Sequence, residues 1–238
     1  MTIQTVGDNI EAKNANWSFS GDTANSFAKH VRRSVPMYEE GHHIIEALSD
    51  FFVKDNSTCY ELGSSVGELT KKLASRHENK GGLTFVGIDE VNEMTAKANE
   101  LNSHKNVQYI TADINQYDLK KSDLIVANYT IQFIEPRLRQ DLFNKLYESL
   151  NWGGALILFE KVRAPDARFQ DIISSLYMDF KLENNYSPSE IIAKSRSLKG
   201  VLEPFSTQAN QDMMKRAGFV DITSVMKYLC FEGFLAIK

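Results

Sequence analysis

Four short apolar runs each present a polar side chain at or just beyond their carboxyl ends. The run Thr58–Leu62 carries Glu61, the run 84–88 stops at Asp89, Val107–Thr111 is followed by Asp113 and Ile114, and the run 124–127 stops at Asn128. After the first run comes Gly63-Ser64-Ser65-Val66-Gly67, a glycine turn leading into a helical stretch. Such a turn between strand and helix lets a ligand approach bare backbone N–H groups. Its pattern is Glu-x-Gly-Ser-Ser-x-Gly, not Gly-x-Gly-x-x-Gly, so a dinucleotide pyrophosphate loop fits poorly. An acid at the end of the second strand, Asp89, suits two vicinal ribose hydroxyls. An acid beside an apolar residue, Asp113-Ile114, reads an adenine amino group and packs on its ring. Taken singly, each acid is a cap or a solvated strand end. Four in register at successive strand ends describe a nucleoside pocket.

The elements that hold these positions alternate between strand and helix. Helical stretches over 68–77 and 92–102 separate the first three strands, and a helix over 140–150 stops at Asn151-Trp152-Gly153-Gly154. A strand over 155–159 ends at Glu160-Lys161. The helix Thr207–Ala217 ends at Gly218, and runs 222–228 and 230–237 close the chain as an antiparallel hairpin. This alternation predicts an α/β fold, a doubly wound seven-strand sheet, mostly parallel, with helices on both faces. Residues 162–205 interrupt it as a helical insertion capping the sheet edge, with Phe169, Ile172, Ile173, Leu176, Tyr177 and Phe180 on one side. Ser187 and Pro188 suit the N-cap and first position of a helix there.

Residues 1–16 read as a loose polar arm, with Trp17-Ser18-Phe19 as the first anchor. Residues 23–38 form a helical lid interrupted by Pro36, and 42–53 a helix with Ile44, Ile45, Leu48, Phe51 and Phe52 at helical spacing. The lid either covers the sheet with its arginines solvated or lays Tyr38 over the pocket. Adjacent His42 and His43 do not share a helix face, so they read as surface residues and no metal site is expected.

Composition bounds the reading. The chain has 238 residues, 42% hydrophobic and 24% charged, enough for one domain with a sizeable core. The formal net charge of -4 and the lack of a basic block argue against a nucleic-acid partner. Cys59 and Cys230 sit in apolar runs, as buried thiols of a reducing compartment do. No run approaches a bilayer span, and the first residues lack a leader pattern, so a cytoplasmic protein with no membrane partner is expected.

Several stretches together resemble a known family. They are Trp17-Ser18-Phe19, Arg33-Ser34-Val35-Pro36-Met37-Tyr38, Glu61-Leu62-Gly63-Ser64-Ser65, Gly87-Ile88-Asp89, Asp113-Ile114, Asn128-Tyr129-Thr130-Ile131-Gln132-Phe133-Ile134-Glu135-Pro136, Gly153-Gly154-Ala155-Leu156, Glu160-Lys161, Asp179-Phe180-Lys181 and Tyr186-Ser187. The chain looks like a class I S-adenosylmethionine-dependent methyltransferase, Rossmann-like in fold. Within that group it most resembles the carboxy-S-adenosyl-L-methionine synthase family, which prepares a cofactor for tRNA wobble-uridine modification. The resemblance implies S-adenosyl-L-methionine, or its carboxylated form, as cofactor. It places Tyr38 at the sulfonium side, Gly63, Ser64 and Ser65 along the amino-acid tail, Asp89 at the ribose, Asp113 and Ile114 at adenine, and Asn128 at the pocket floor. Glu61 and Glu90 join this cofactor set; the family has Asn at the position of Glu90. The family is dimeric, and an insertion rich in Phe169, Leu176, Tyr177 and Phe180 agrees with a homodimer.

The family arginine that pairs with the carboxylate of the carboxylated cofactor aligns with Ser195, and Arg196 follows one position later. On a helix one position is a rotation of about 100°. Three functions follow. The first is a transferase that methylates a small-molecule acceptor. The second is the family's prephenate-derived carboxylation of the cofactor's methyl, with Arg196 substituting for the missing arginine. The third is a non-catalytic cofactor-binding subunit. Tyr38 and Arg196 are the catalytic candidates; His30, Tyr129 and Tyr177 are further candidates for a general base.

Overall fold

The computed structural model describes residues 4–7, 10–19 and 23–238. The elements run β1 (Gln4–Thr5), β2 (Glu11–Ala12), α1 (Thr23–Ser34), α2 (Tyr38–Ser49), β3 (Thr58–Leu62), α3 (Glu68–Arg76), β4 (Thr84–Asp89), α4 (Asn92–Leu101), β5 (Val107–Thr111) and β6 (Ser122–Asn128). A single 3₁₀ turn, Ile131–Phe133, precedes α5 (Pro136–Ser149), β7 (Leu150–Lys161), α6 (Ala167–Glu183), α7 (Pro188–Ser197), α8 (Thr207–Ala217), β8 (Asp221–Tyr228) and β9 (Phe231–Ile237). Seven strands form one sheet in the order β5-β4-β3-β6-β7-β9-β8, parallel from β5 to β7 and antiparallel at β7–β9 and β9–β8.

The period of two along each strand splits the core into two layers. Tyr60, Leu62, Ile125, Ala127, Leu156 and Leu158 meet Leu142, Phe143 and Leu146 of α5 and Met213 and Met214 of α8. Cys59, Leu124, Val126, Ile157 and Phe159, one residue out of phase, meet Ile45 of α2 and Leu69 and Leu73 of α3. Fully burying a side chain of this size contributes about 1.5–3 kcal/mol. The strand order reverses between β3 and β6, so the carboxyl ends of β3, β4, β5 and β6 open onto a switch-point crevice.

Local signals hold at the ends. Ser187 caps α7 through a reciprocal capping box with Glu190, and Pro188 follows it. Gly218, with φ 119°, closes α8 in the left-handed region. The strand β7 begins at Leu150 and takes in the Asn151–Gly154 segment that reads as a helix stop, with a register shift between Ser122 and Leu124 of its neighbour.

Four expectations are corrected. The arm is not loose: β1 pairs with β2, and Val6, Ile10, Ala12 and Trp17 are buried against Ala193 of α7. Ala15 and Trp17 donate their N–H groups to the carbonyls of Arg196 and Ser197. The arm alternates apolar residues at short range, too short a run to stand out in sequence; residues 1–3 and 8–9 lie outside the described residues. The arginines of the lid are engaged. Arg33 donates to the carbonyls of Asn184 and Asn185 and lies 4.5 Å over the Tyr186 ring. The second helix begins at Tyr38, a turn earlier than its apolar spacing, after a left-handed Met37 (φ 56°). The insertion does not turn one apolar side inward. Ile173 and Tyr177 pack on the core, while Phe169, Ile172, Leu176, Met178 and Leu182 are exposed.

Candidate active site

One deep cavity lies over the strand ends, roofed by α1, α2, α6 and α7. Tyr38, Glu61, Gly63, Ser64, Ser65, Asp89, Glu90, Asp113, Ile114 and Asn128 all line it. Arg196 and Ser195 do not: both are exposed on α7, while Lys194 and Leu198 of that segment face the cavity.

The glycine turn is built for close approach. Gly63 has φ 69°, and a Cβ there would collide with the side chain of Thr130, whose hydroxyl donates to the Leu62 carbonyl at 2.8 Å. Asp89 braces the turn. Its two oxygens accept the N–H groups of Ser65 (2.8 Å) and Val91 (2.9 Å), and burial still holds its pKa above the ordinary value. Each oxygen keeps a lone pair for a ligand hydroxyl. Asp113 accepts the backbone N–H and the side-chain amide of Asn115 on one oxygen, which leaves the other unused; Ile114 beside it is buried. Glu90 is exposed, and its pKa is raised first by desolvation of the carboxyl and then by Asp89 and Asp113.

Glu61 projects to the α3 face of the sheet, where Thr70 donates its hydroxyl to the carboxylate. Burial pushes Glu61 up to about 8. A cationic ligand group beside it would favour the ionised form.

Asn128 is fixed from below. Its Nδ2 lies 3.1 Å from Nε2 of His42, and Lys72 Nζ lies 3.3 Å from the other ring nitrogen. His42 is therefore not a surface residue. It is buried, and burial followed by the Lys72 charge lowers its pKa to about 3. Glu39, His42 and Glu68 bring three potential metal ligands within 4.8 Å of one another. The two carboxylates are already compensated: Arg32 reaches both at 2.5 Å, and Lys72 lies at 3.0 and 3.4 Å. This network ties α1, α2 and α3 together at the cavity mouth.

The Tyr38 ring lies 4.4 Å from that of His42, tilted at 51°, and stacks on Tyr129 at 6.4 Å. Burial raises the pKa of Tyr38, Tyr129 and Tyr177. All three phenols stay protonated at neutral pH, which removes them as general bases. Tyr177 donates its hydroxyl to the Ser34 carbonyl at 2.7 Å, and Tyr129 has a buried hydroxyl without a partner. His30 contacts the ammonium of Lys194, which also lies 3.7 Å over the Trp17 ring.

The residues that sequence reasoning assigned no role are cations. Lys161, Lys181 and Lys194 line the same cavity. A signal existed for Lys161, which ends β7 on the edge that carries the other strand ends. Lys181 and Lys194 reach the cavity from the insertion, whose orientation no strand register dictates.

A doubly wound sheet with a glycine turn, an acid on the second strand end and an acid–apolar pair on the third defines the class I S-adenosylmethionine-dependent methyltransferase fold. The methyltransferase domain family matches residues 60–154. The chain is similar in fold to the plantazolicin methyltransferase BpumL in complex with a triazolic desmethylPZN analog and SAH, with TM-score 0.67 at 13% identity and 92% of each chain covered. It also resembles human N-acetylserotonin methyltransferase in complex with SAM, with TM-score 0.58, covering 93% of this chain and 60% of that one. More specifically, it is 36% identical to the carboxy-S-adenosyl-L-methionine synthase of Staphylococcus epidermidis over 93% of this chain and 97% of the relative. It is 35% identical to that of Nautilia profundicola over 93% and 94%. The chain belongs to the carboxy-S-adenosyl-L-methionine synthase family and is an S-adenosylmethionine-dependent enzyme. No helix among the described residues is long and apolar enough to cross a membrane.

Proposed function

We propose that the chain carboxylates the methyl carbon of S-adenosylmethionine with a small carboxylate donor such as prephenate, which breaks its ring C–CO2 bond and expels its ring hydroxyl to leave an aromatic keto acid; the hydroxide takes one methyl proton as water, and the methyl carbon bonds to the released CO2. The observation that carries this reading is the reversal of charge along one cavity, from Glu61, Asp89 and Asp113 at the strand ends to Lys161, Lys181 and Lys194 under the insertion. The acidic end suits the cofactor, with Gly63, Ser64 and Ser65 along its tail, Asp89 and Glu90 at the ribose, Asp113 and Ile114 at adenine, and Tyr38 and Asn128 toward the sulfonium. Bound there, the cofactor supplies a methyl that is both electrophilic and acidified by the adjacent sulfonium. The basic end suits an anionic reactant more than a neutral acceptor awaiting deprotonation. Catalysis then rests on positioning and exclusion of water, without a titrating side chain at neutral pH among the tyrosines.

A second reading, methylation of a small acceptor, draws support from Ser195 and Arg196, which lie outside the cavity and offer no guanidinium to a carboxylated cofactor. Turnover separates both from a non-catalytic cofactor-binding subunit. Incubation with S-adenosylmethionine and prephenate, followed by mass analysis of the nucleoside, tests the proposal; only demethylated cofactor in the presence of an acceptor would favour the second reading.

We further propose a cytoplasmic homodimer that binds no nucleic acid directly. Exposed Phe169, Ile172 and Leu176 on α6 support self-association. A monomeric mass by light scattering at micromolar concentration would count against it.

A further inference from the structure

We infer that Lys161 and Lys181, gathered on the ring of Tyr177, form the subsite that binds the carboxylate of the second reactant. The inference rests on the carboxylate-donor reading above and names the groups that would serve it.

The two lysines come from different elements. Lys161 ends β7, and its Nζ lies 4.4 Å from the Tyr177 ring centre and 5.9 Å from that of Phe231. Lys181 follows Tyr177 by one turn of α6 and reaches the same ring centre at 4.6 Å. Lys181 is only 8% exposed, and both residues line the cavity. Among the described residues, neither ammonium has a carboxylate within 4.0 Å or a hydrogen-bond acceptor. Two like charges on one aromatic ring, away from water and without a counter-ion, are a costly arrangement that an aromatic face offsets only in part. An anion seated beside them resolves it. Burial holds both pKa values below the ordinary range, that of Lys181 at about 8, and a bound carboxylate would restore the full charge.

The other cations of the region are committed elsewhere. Lys194 is held by His30 and Trp17, and Arg33 by the carbonyls of Asn184 and Asn185. Arg196 is exposed and outside the cavity. The acids lining the cavity lie on β3, at and just past the end of β4, after β5 and at the start of α3, none against Tyr177. Ammonium groups act as point charges and need no planar fork geometry. Two of them can therefore hold a carboxylate where Ser195 and Arg196 lie outside the cavity and supply no guanidinium.

The test uses protein saturated with S-adenosylhomocysteine, which has no methyl to react, titrated calorimetrically with prephenate. Lys161→Met and Lys181→Met each weaken prephenate binding by about tenfold or more, whereas Arg196→Met stays within about twofold of wild type. Affinity for S-adenosylhomocysteine remains that of wild type in all three, which also reports that each variant is folded; Lys181→Arg retains most of the prephenate affinity. Wild-type protein that binds no prephenate, or methionine variants that bind it as wild type does, would overturn the subsite. The two proposals separate cleanly. Loss of binding in the lysine variants with no carboxylated product from wild type keeps the subsite and sinks the carboxylation reading. Carboxylated product made by both methionine variants at the wild-type KM for prephenate sinks the subsite and keeps that reading.

Discussion

The two ends of the cavity are built differently. At the acidic end, side chains stand at or just past strand termini and are pinned locally: Asp89 by two backbone N–H groups and Asp113 by the backbone N–H and side-chain amide of Asn115. At the basic end, Lys181 and Lys194 hang from helices of the insertion, and aromatic faces hold them: Tyr177 for one, Trp17 for the other. The first end is a fixed socket set by the sheet. The second is carried by elements that a family can vary without disturbing the sheet. The layout of the acidic end follows from topology; that of the basic end depends on a few side chains.

Breaking the socket has the largest expected effect. Asp89→Ala removes the acceptor of two backbone N–H groups and, on the proposed reading, the ribose partner. Cofactor affinity falls by about a hundredfold or more, and stability by about 1–3 kcal/mol for the donors left unpaired. Calorimetry and urea unfolding measure the two losses. Unchanged affinity in a folded variant would remove Asp89 from the ribose role.

The pH dependence of the same end comes next. Glu61 sits at about 8 because of burial, opposed by Thr70 and raised further by Asp89 and Glu68. A cofactor ammonium near Glu61 favours the carboxylate, so binding releases a proton below pH 8. Affinity rises toward pH 8 by up to about tenfold per unit and then levels off. Titrations in buffers of different ionisation enthalpy detect the proton, and Glu61→Gln flattens the profile. Affinity that falls as pH rises from 6 to 8 would be the wrong sign.

Fold stability gives a third, smaller effect. His42, depressed to about 3 by burial and Lys72, is neutral in the folded protein and titrates near its ordinary value when unfolded. Its contribution is present above pH 6.5 and is lost as pH falls through that value toward 3. His42→Leu removes this part of the acid destabilisation, and it also frees Asn128 from its neighbour. A wild-type acid slope that persists unchanged in the variant would assign the destabilisation to other groups.

The smallest effect sharpens the basic end. Tyr177→Phe keeps the ring under both lysines and loses only the hydroxyl that bonds Ser34. Anion affinity stays within about twofold, and stability falls by about 0.5–1.5 kcal/mol. A tenfold loss of anion affinity would assign the hydroxyl, not the ring, to the subsite.

The same contrast explains what was legible in the sequence. Strands β3 and β5 and helix α8 follow their predicted limits, because apolar periodicity and glycine or proline punctuation mark them. The gathering at the acidic end was legible because a parallel sheet aligns strand ends, so one register places Glu61, Asp89, Asp113 and Asn128 together. The lysine half was not. An insertion helix can turn any face inward, and here Tyr177 and Lys181 face the cavity while Phe169 and Leu176 face away. Two positions on α7 separate Lys194 inside from Arg196 outside, a rotation that spacing alone does not orient. His42 was misread for a related reason. Adjacent histidines suggested exposure, whereas the helix begins at Tyr38 and turns His42 under Asn128.

The central claim is that the acidic end holds S-adenosylmethionine while the basic end delivers a carboxylate to its methyl. Mass analysis of the nucleoside formed from S-adenosylmethionine and prephenate by wild-type protein tests it most directly. The account predicts cofactor in which a carboxyl group replaces one methyl hydrogen, formed with turnover and diminished in Lys161→Met and Lys181→Met. Unmodified cofactor after prolonged incubation with competent, cofactor-bound protein would contradict it.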